Sequence, residues 1–279
     1  MAKILKKKTL APLIHLMEVA APEIARKRRA GQFIILRTHE EGERIPLTIV
    51  DSDTTSGTIT LIFQEMGYST KYMAALNQGD DILDLCGPLG KATHIEEFGT
   101  CLAIGGGVGV APLYPISKAL REAGNEVICV IGARNKELVI MEPEFRSAIG
   151  EVHVCTDDGS YGFHGFVTQK GKEILEGPNP VQLIVGIGPV PMMKALVDTM
   201  RPYNIPIVVS LNPVMIDGTG MCGGCRVEVA GKTQFACIDG PEFDGTAVNF
   251  DLLIRRLRTY NPQEKEAMES HACRLGVKS

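Results

Sequence analysis

The stretch TCLAIGGGVGVAPLYPISKALREAG, Thr100 to Gly124, decides the fold. A short apolar run, TCLAI, ends in glycines, and apolar residues at helical spacing then follow until Gly124. That is a strand, a tight turn and a helix, the opening of a βαβ unit. The same rhythm continues downstream in EVICVIGAR, a helix around EPEFRSAIG, EVHVCTDDG, GFVTQKGKEILEG, VQLIVGIGP, VPMMKALVDTMRPYN and IPIVVSLN. Five apolar, β-branched strands separated by helix-length segments predict a parallel sheet covered on both faces, with ligands at the carboxyl ends of its strands. Residues 98–211 are assigned to this parallel five-stranded α/β domain.

Upstream, the pattern is different. Residues 1–97 read as short strands divided by turns: LIHLMEV, GQFIILRTH, IPLTIVD and, after DSDTTSG, GTITLIFQEM. Such a run predicts an antiparallel β-barrel or sandwich. One short helix, STKYMAALNQG, is expected to interrupt it, opened by Ser69 or Thr70 as N-cap and closed by Gly79. Downstream, residues 212–279 hold the loop MIDGTGMCGGC, a hairpin RVEVAGKTQFACI, an amphipathic helix NFDLLIRRLRTY and a polar tail. So short a module is expected to bury little core and to need a staple, which a metal centre would provide. The fold class is therefore β plus α/β with a small C-terminal module.

With 44% hydrophobic residues, 22% charged residues and a net charge of -4, the chain is a globular protein with no bias toward nucleic acid or anionic membranes. No apolar run reaches membrane-spanning length and no secretory signal is evident, so a cytoplasmic location is expected. Cys86, Cys101, Cys129 and Cys155 lie singly in strand-like runs and read as small buried hydrophobes. Only Cys222, Cys225 and Cys237 cluster, with Cys273 a distant extra. The histidines are scattered and read as structural or solvated.

Three loops are expected at one edge of the parallel sheet. GGGVGVAP carries Gly105, Gly106, Gly107, Gly109 and Pro112, small residues that let backbone amides approach a dinucleotide pyrophosphate. It departs from the dehydrogenase fingerprint, with Val110 at the third glycine position and Arg134, not an acid, after the second strand. Taken alone it is equally a plain strand-to-helix turn. TDDGSYG adds Asp157 and Asp158, which would accept ribose hydroxyls and repel a 2′-phosphate, favouring NADH over NADPH. GIGPVPMM adds Gly188, Pro189 and Met192.

Asp217, Cys222, Cys225 and Cys237 form D-x4-C-x2-C-x11-C. A plant-type [2Fe-2S] loop reads C-x4-C-x2-C with a distant cysteine, so Asp217 stands where its first thiolate would be. Glycines at 218, 220, 223 and 224 suit a loop wrapped around a cluster. Two cysteines at this spacing also suit zinc, which Asp217 could ligate as well.

ERIPLTIV, GYST, GPLG, GGGVGVAP, TDDGS and GPVPMM, in this order, resemble the ferredoxin-NADP reductase superfamily of flavoproteins over residues 1 to about 210. With the cysteine module added, the chain is similar to the electron-transfer subunits of dihydroorotate dehydrogenase. It is more similar still to the small subunits of NADH-dependent reduced ferredoxin:NADP oxidoreductase and sulfide dehydrogenase. The resemblance implies FAD over the barrel, with the isoalloxazine near Pro46, Leu47 and Thr48, contacts from Phe63 and Gln64, and the pyrophosphate on Ser69 and Thr70. The family's arginine commonly stands at the position of Ile45; here Arg44 is one residue earlier, on the other face of a regular strand. Where many relatives have a cysteine beside the nicotinamide, this chain has Ile187. Hydride transfer between aligned cofactors requires no catalytic acid or base, and none is assigned.

The same resemblance selects [2Fe-2S] over zinc and includes members whose cluster has one aspartate and three cysteine ligands. It implies a heterodimer with a larger flavoprotein carrying [4Fe-4S] clusters, linking NADH, ferredoxin and NADP in electron bifurcation. The alternatives are a dihydroorotate dehydrogenase electron-transfer subunit, against which Asp217 argues, and a non-redox nucleotide-binding adaptor with structural zinc.

Overall fold

The structure, a computed structural model, describes residues 1–266. Cys273 and the end of the polar tail lie outside the described residues.

The first part comprises β1 (Ala2–Ala11), β2 (Ile14–Ala20), α1 (Pro22–Lys27), β3 (Phe33–Arg37), β4 (Ile45–Thr48), β5 (Asp51–Asp53), β6 (Thr58–Gln64), α2 (Tyr68–Ala75), β7 (Asp81–Ile82) and β8 (Asp84–Leu89). Its strands form two antiparallel sheets, ordered β5-β6-β2-β1-β7 and β4-β3-β8. Alternation drives their closure: Ile4, Met17, Val19, Ile34, Leu36, Ile59, Leu61 and Phe63 point inward from both sheets into one buried cluster. Two helices lie in this part where one was expected, since Pro22 at the first turn starts the brief α1. The N-cap of α2 is Gly67, not Ser69 or Thr70. Thr70 stands at the third helical position, where its Oγ1 accepts from the Gly67 amide at 3.1 Å. The helix ends at Ala75, and Gly79, at φ +96°, shapes the turn beyond it.

The second part follows as β9 (Thr100–Gly106), α3 (Val110–Glu122), β10 (Glu126–Ala133), α4 (Glu142–Ala148), β11 (Glu151–Thr156), β12 (Phe163–His164), α5 (Val167–Leu175), β13 (Leu183–Ile187), α6 (Val190–Met200) and β14 (Ile207–Ser210). The five expected strands are all present and parallel, but the sheet has seven, ordered β12-β11-β10-β9-β13-β14-β17. The last of these, β17 (Glu242–Asp244), comes from the C-terminal segment and pairs antiparallel with β14. Along β9, Cys101 and Ala103 face one core while Leu102 and Ile104 face the other, as expected for a strand covered on both sides.

The C-terminal segment adds β15 (Arg226–Val229), β16 (Lys232–Phe235) and α7 (Phe250–Leu257). Its described residues form no separate core. Cys225, Val227, Val229, Ala236, Cys237, Phe243, Phe250 and Leu253 belong to the cluster that buries α5, α6 and one sheet face. The expectation of a module that needs a staple is corrected accordingly. Phe33 and Ile35 of the barrel enter this same core, and Ala11, Ile14, Val50 and Ile62 enter the one under α3. Both faces of the parallel sheet are thus tied to the barrel. Cys101, Cys129 and Cys155 are buried as expected, but Cys86 is exposed on the edge strand β8. Among the described residues no helix is long and apolar enough to cross a membrane.

Glu242 on β17 marks the seam between all three parts: its Oε1 accepts from Thr93 Oγ1, in the barrel-to-sheet connection, at 2.5 Å. Burial pushes its carboxyl up to about 7 from 4.5. Between these values the folded state keeps a proton that the unfolded chain releases, so stability falls as pH rises from about 4.5 to about 7. Denaturant midpoints at about pH 5 and about pH 7.5 are expected to show that fall in the wild type and a smaller one in Glu242→Gln. Equal slopes in the two proteins would refute the assignment.

Candidate functional site

The strand order reverses between β9 and β13, and this topological switch point is where open α/β sheets place ligands. Gly105 and Gly106 end β9, Gly107 and Gly109 form a 3-10 turn, and Pro112 lies in the first turn of α3. Gly188 and Pro189 follow β13, and Met192 lies near the start of α6. A methyl group at Gly109 would meet Gly188 Cα at 2.6 Å and Ile187 O at 2.7 Å, so the two loops touch backbone to backbone. Met192 packs over both: its side chain lies where Cβ atoms at Gly106 and Gly188 would project. Arg134 follows β10, and Asp157 and Asp158 follow β11. The Asp158 amide donates to Arg134 O at 3.2 Å, bringing these exposed residues together at the same edge. Asp158 Oδ1 accepts from Ser160 Oγ at 2.6 Å and from the Ser160 amide at 2.9 Å. Those bonds, the hydroxyl's first, hold its carboxyl below the usual range. The sequence-predicted residues of the three loops therefore meet at one edge.

The second candidate group spreads over the barrel. Ile45 and Leu47 pack on the barrel core, so Arg44, Pro46 and Thr48 share the opposite face. Leu47 is directed inward, and Phe63 is only 1% exposed within the barrel core, so Phe63 can reach a ligand only through its main chain. Gln64 ends β6 half-buried. Ser69 is buried at the first turn of α2, and its Oγ donates to Glu43 Oε2 at 3.0 Å. Two residues here escaped the sequence reading. Glu43 is one; the other is His39, whose ring lies 4.4 Å from Tyr72 and 6.2 Å from Tyr68. The buried His39 Nε2 has no hydrogen-bond partner among the described residues. Nothing in sequence marks either, because both act through contacts between the loop before β4 and α2.

The third group is the loop before β15. Gly218, Gly220 and Gly223 have φ of +75°, +81° and +67°, values that favour glycine. Asp217 Oδ1 accepts from the Thr219 amide and Oδ2 from the Cys222 amide, each at 2.9 Å. These bonds hold its carboxyl below the usual carboxylate range. The Gly224 amide donates to Cys222 Sγ and the Cys237 amide to Cys225 Sγ, both at 3.4 Å. Burial, and then the neighbouring Cys225, push the Cys237 thiol up to about 12. The four residues thus form two pairs, Asp217 with Cys222 and Cys225 with Cys237. Among the described residues no three His, Cys, Asp or Glu side chains converge on a point fit for one metal ion.

This loop rests on the barrel. A Cβ at Gly218 would meet Leu89 Cδ1 at 2.6 Å and Ile35 Cδ1 at 2.9 Å. Ile35 pairs with Pro46 across β3 and β4, so one strand spacing, roughly 5 Å, separates the wall of the cysteine loop from the Pro46 row.

Accessibility divides the described cysteines. Burial pushes the thiols of Cys101, Cys129 and Cys155 to about 11, 12 and 12. In metal-free protein at about pH 8, iodoacetamide is expected to label Cys86 and Cys222 first, with the buried cysteines reacting only after unfolding. Early labelling of Cys155 or Cys225, read by peptide mass spectrometry, would contradict this arrangement.

Residues 212–249, the cysteine loop through the start of α7, match the family described as the iron-sulfur cluster binding domain of dihydroorotate dehydrogenase B. Over 96% of its length, and 94% of the relative's, the chain is 44% identical to the dihydroorotate dehydrogenase B (NAD(+)) electron transfer subunit homolog of Thermotoga maritima. It is 33% identical to the dihydroorotate dehydrogenase B (NAD(+)) electron transfer subunit of Enterococcus faecalis, over 89% of this chain and 97% of that one. Among solved structures it matches a chain from the NADH-dependent reduced ferredoxin-NADP oxidoreductase structure described for flavin-based electron bifurcation. The TM-score is 0.92 and the identity 43%, covering 97% of this chain and 98% of that one. The chain belongs to the family of dihydroorotate dehydrogenase B electron transfer subunits and their homologues.

Proposed function

We propose that this electron-transfer subunit works between NADH, FAD and a [2Fe-2S] centre, and serves a larger flavin and iron-sulfur subunit in an NADH-dependent reduced ferredoxin:NADP oxidoreductase. When bound, FAD would accept hydride from NADH and release electrons singly, and the iron-sulfur centre would carry one electron at a time.

The chain's own residues suit these groups. Gly106, Gly109 and Gly188 let the two loops and Met192 close tightly on one another at the switch point, while Gly107, at φ +57° with open space where a Cβ would stand, leaves its backbone accessible to a pyrophosphate. Asp157 and Asp158 favour ribose hydroxyls over a 2′-phosphate. For the flavin, Pro46 and Thr48 offer an outward face with Arg44 on the same side, and the amides of α2 offer partial positive charge. The orphaned His39 Nε2 beside Tyr72 is a donor or acceptor waiting for a partner there. An anion on Ser69 would require that hydroxyl to leave Glu43, whose carboxylate would otherwise repel it.

The pairing in the cysteine loop carries the iron-sulfur reading. One zinc ion takes its protein ligands around a single point, whereas a two-iron cluster takes two on each iron. The bonds within the loop join Asp217 to Cys222 and Cys225 to Cys237, two ligands for each iron of such a cluster. A carboxylate has about four lone-pair sites, so Asp217 can keep both amide bonds and still ligate. Amides directed at Cys222 and Cys225 sulfur favour thiolate over thiol.

Identity alone does not choose the assembly, since the oxidoreductase chain is 43% identical and the Thermotoga maritima dihydroorotate dehydrogenase B subunit homolog 44%. Asp217, in the place of a fourth cysteine, is what favours the bifurcating assembly over a dihydroorotate-oxidising one. Metal analysis of the native complex is expected to give, beyond the iron and sulfide of the larger subunit, about two iron and two acid-labile sulfide per copy of this chain. Cys225→Ser should lose them, and Asp217→Cys should keep them with an altered EPR spectrum. Stoichiometric zinc without sulfide would refute the reading, and a companion chain that oxidises dihydroorotate would refute the choice of assembly.

A further inference from the structure

The tip of the cysteine loop, Cys222-Gly223-Gly224-Cys225, is held from outside by two guanidinium groups. Arg256 Nη2, from α7, donates to Gly224 O at 3.2 Å, and Arg226 Nη1, at the start of β15, donates to Gly223 O at 3.0 Å. The amide of that same Gly224 is directed at Cys222 Sγ. One residue is thus fixed at both ends, its carbonyl by Arg256 and its N–H by sulfur.

The support behind Arg256 is rigid. Phe250 and Leu253 anchor α7 in the shared core, and Asn249 caps it, its Oδ1 accepting from the Leu252 amide at 3.0 Å while its Nδ2 donates to Glu228 Oε1 at 2.8 Å. Neither Arg226 nor Arg256 makes an ion pair among the described residues, although the chain carries net negative charge. The nearby acids are engaged elsewhere: Asp251 pairs with Lys194 at 2.6 Å and Glu228 accepts from Asn249. Both guanidiniums border a cavity of about 230 Å³ that also exposes Cys222, with Leu253 and Leu257 in its apolar wall. Two unpaired cations beside apolar side chains act on a neighbouring charge more strongly than they would in bulk water.

We infer that Arg256, assisted by Arg226, is a positioning residue that sets the reduction potential of the iron-sulfur centre. This rests on the proposed [2Fe-2S] occupancy of the loop. Reduction adds one negative charge to a group already bound by anionic ligands, and a cation hydrogen-bonded to the tip between two of them stabilises that added charge. Arg256 therefore raises the potential. It also holds the peptide whose N–H reaches Cys222 sulfur, a bond acting in the same direction. Arg226, the more exposed of the two, is screened by solvent and contributes less.

The test is an EPR-monitored redox titration of the native complex at low ionic strength, for wild type and for Arg256→Ala, Arg256→Lys, Arg226→Ala and Arg255→Ala. Arg255 lies in the same last turn of α7 without bonding the loop, so it controls for helix-end charge. The expected result is a lowered potential in Arg256→Ala at full iron content, recovery of most of the shift in Arg256→Lys, a smaller shift in Arg226→Ala and none in Arg255→Ala. An unchanged potential in Arg256→Ala overturns the inference, as does an equal shift in Arg255→Ala. Loss of iron from both Arg256 variants also overturns it, since the role would then be structural. Absence of a [2Fe-2S] EPR signal from the reduced wild-type complex would instead defeat the proposed occupancy.

Discussion

The outer face of the β3–β4 ribbon is the constraint on which the rest depends. Its inner face fills the barrel through Ile34, Leu36, Ile45 and Leu47, so alternation sends Phe33, Ile35, Pro46 and Thr48 outward. Phe33 and Ile35 are buried only because the sheet domain and the cysteine loop cover them. Gly218 is needed for that cover, since a side chain there would collide with Ile35 and Leu89. A single row across two strands, Ile35 and Pro46, thereby belongs to the cysteine loop on one side and to the candidate flavin face on the other. Electron transfer slows steeply with distance, and this packing sets that distance.

The same logic explains why the C-terminal segment stands without a core of its own. β17 extends the parallel sheet, and Phe243, Phe250 and Leu253 complete a cluster begun by α5, α6 and the sheet. Fully burying a large apolar side chain is worth about 1.5–3 kcal/mol, so a few such contacts secure the segment. A metal centre is then not the segment's sole attachment to the rest of the molecule. Rigidity passes outward from this core through α7 to Arg256, and from there to the loop tip.

Much of this was legible in sequence where periodicity was strong. The five parallel strands stand out because both of their faces are buried, which leaves unbroken apolar runs. β1 was not, because its run of lysines hides an alternation in which only Ala2, Ile4 and Ala11 are buried. β12 and β17 are two and three residues long and owe their state to neighbours rather than to propensity. Cys86 reads as buried from its flanking leucines, yet β8 is an edge strand and leaves it exposed. At the candidate site, glycines, aspartates and cysteines announce themselves by spacing. His39, Glu43 and Arg256 do not, because each acts on a segment distant in sequence: His39 and Glu43 on α2, Arg256 on the loop tip.

The measurement that bears most directly on the central claim is low-temperature EPR of the intact complex, frozen at intervals after anaerobic addition of NADH and followed in parallel at the flavin absorbance band. Packing of the cysteine loop on the β3–β4 ribbon predicts that the flavin bleaches and that a reduced iron-sulfur signal grows from it without added mediator. A flavin that bleaches while the iron-sulfur centre stays oxidised until a mediator is supplied would contradict it.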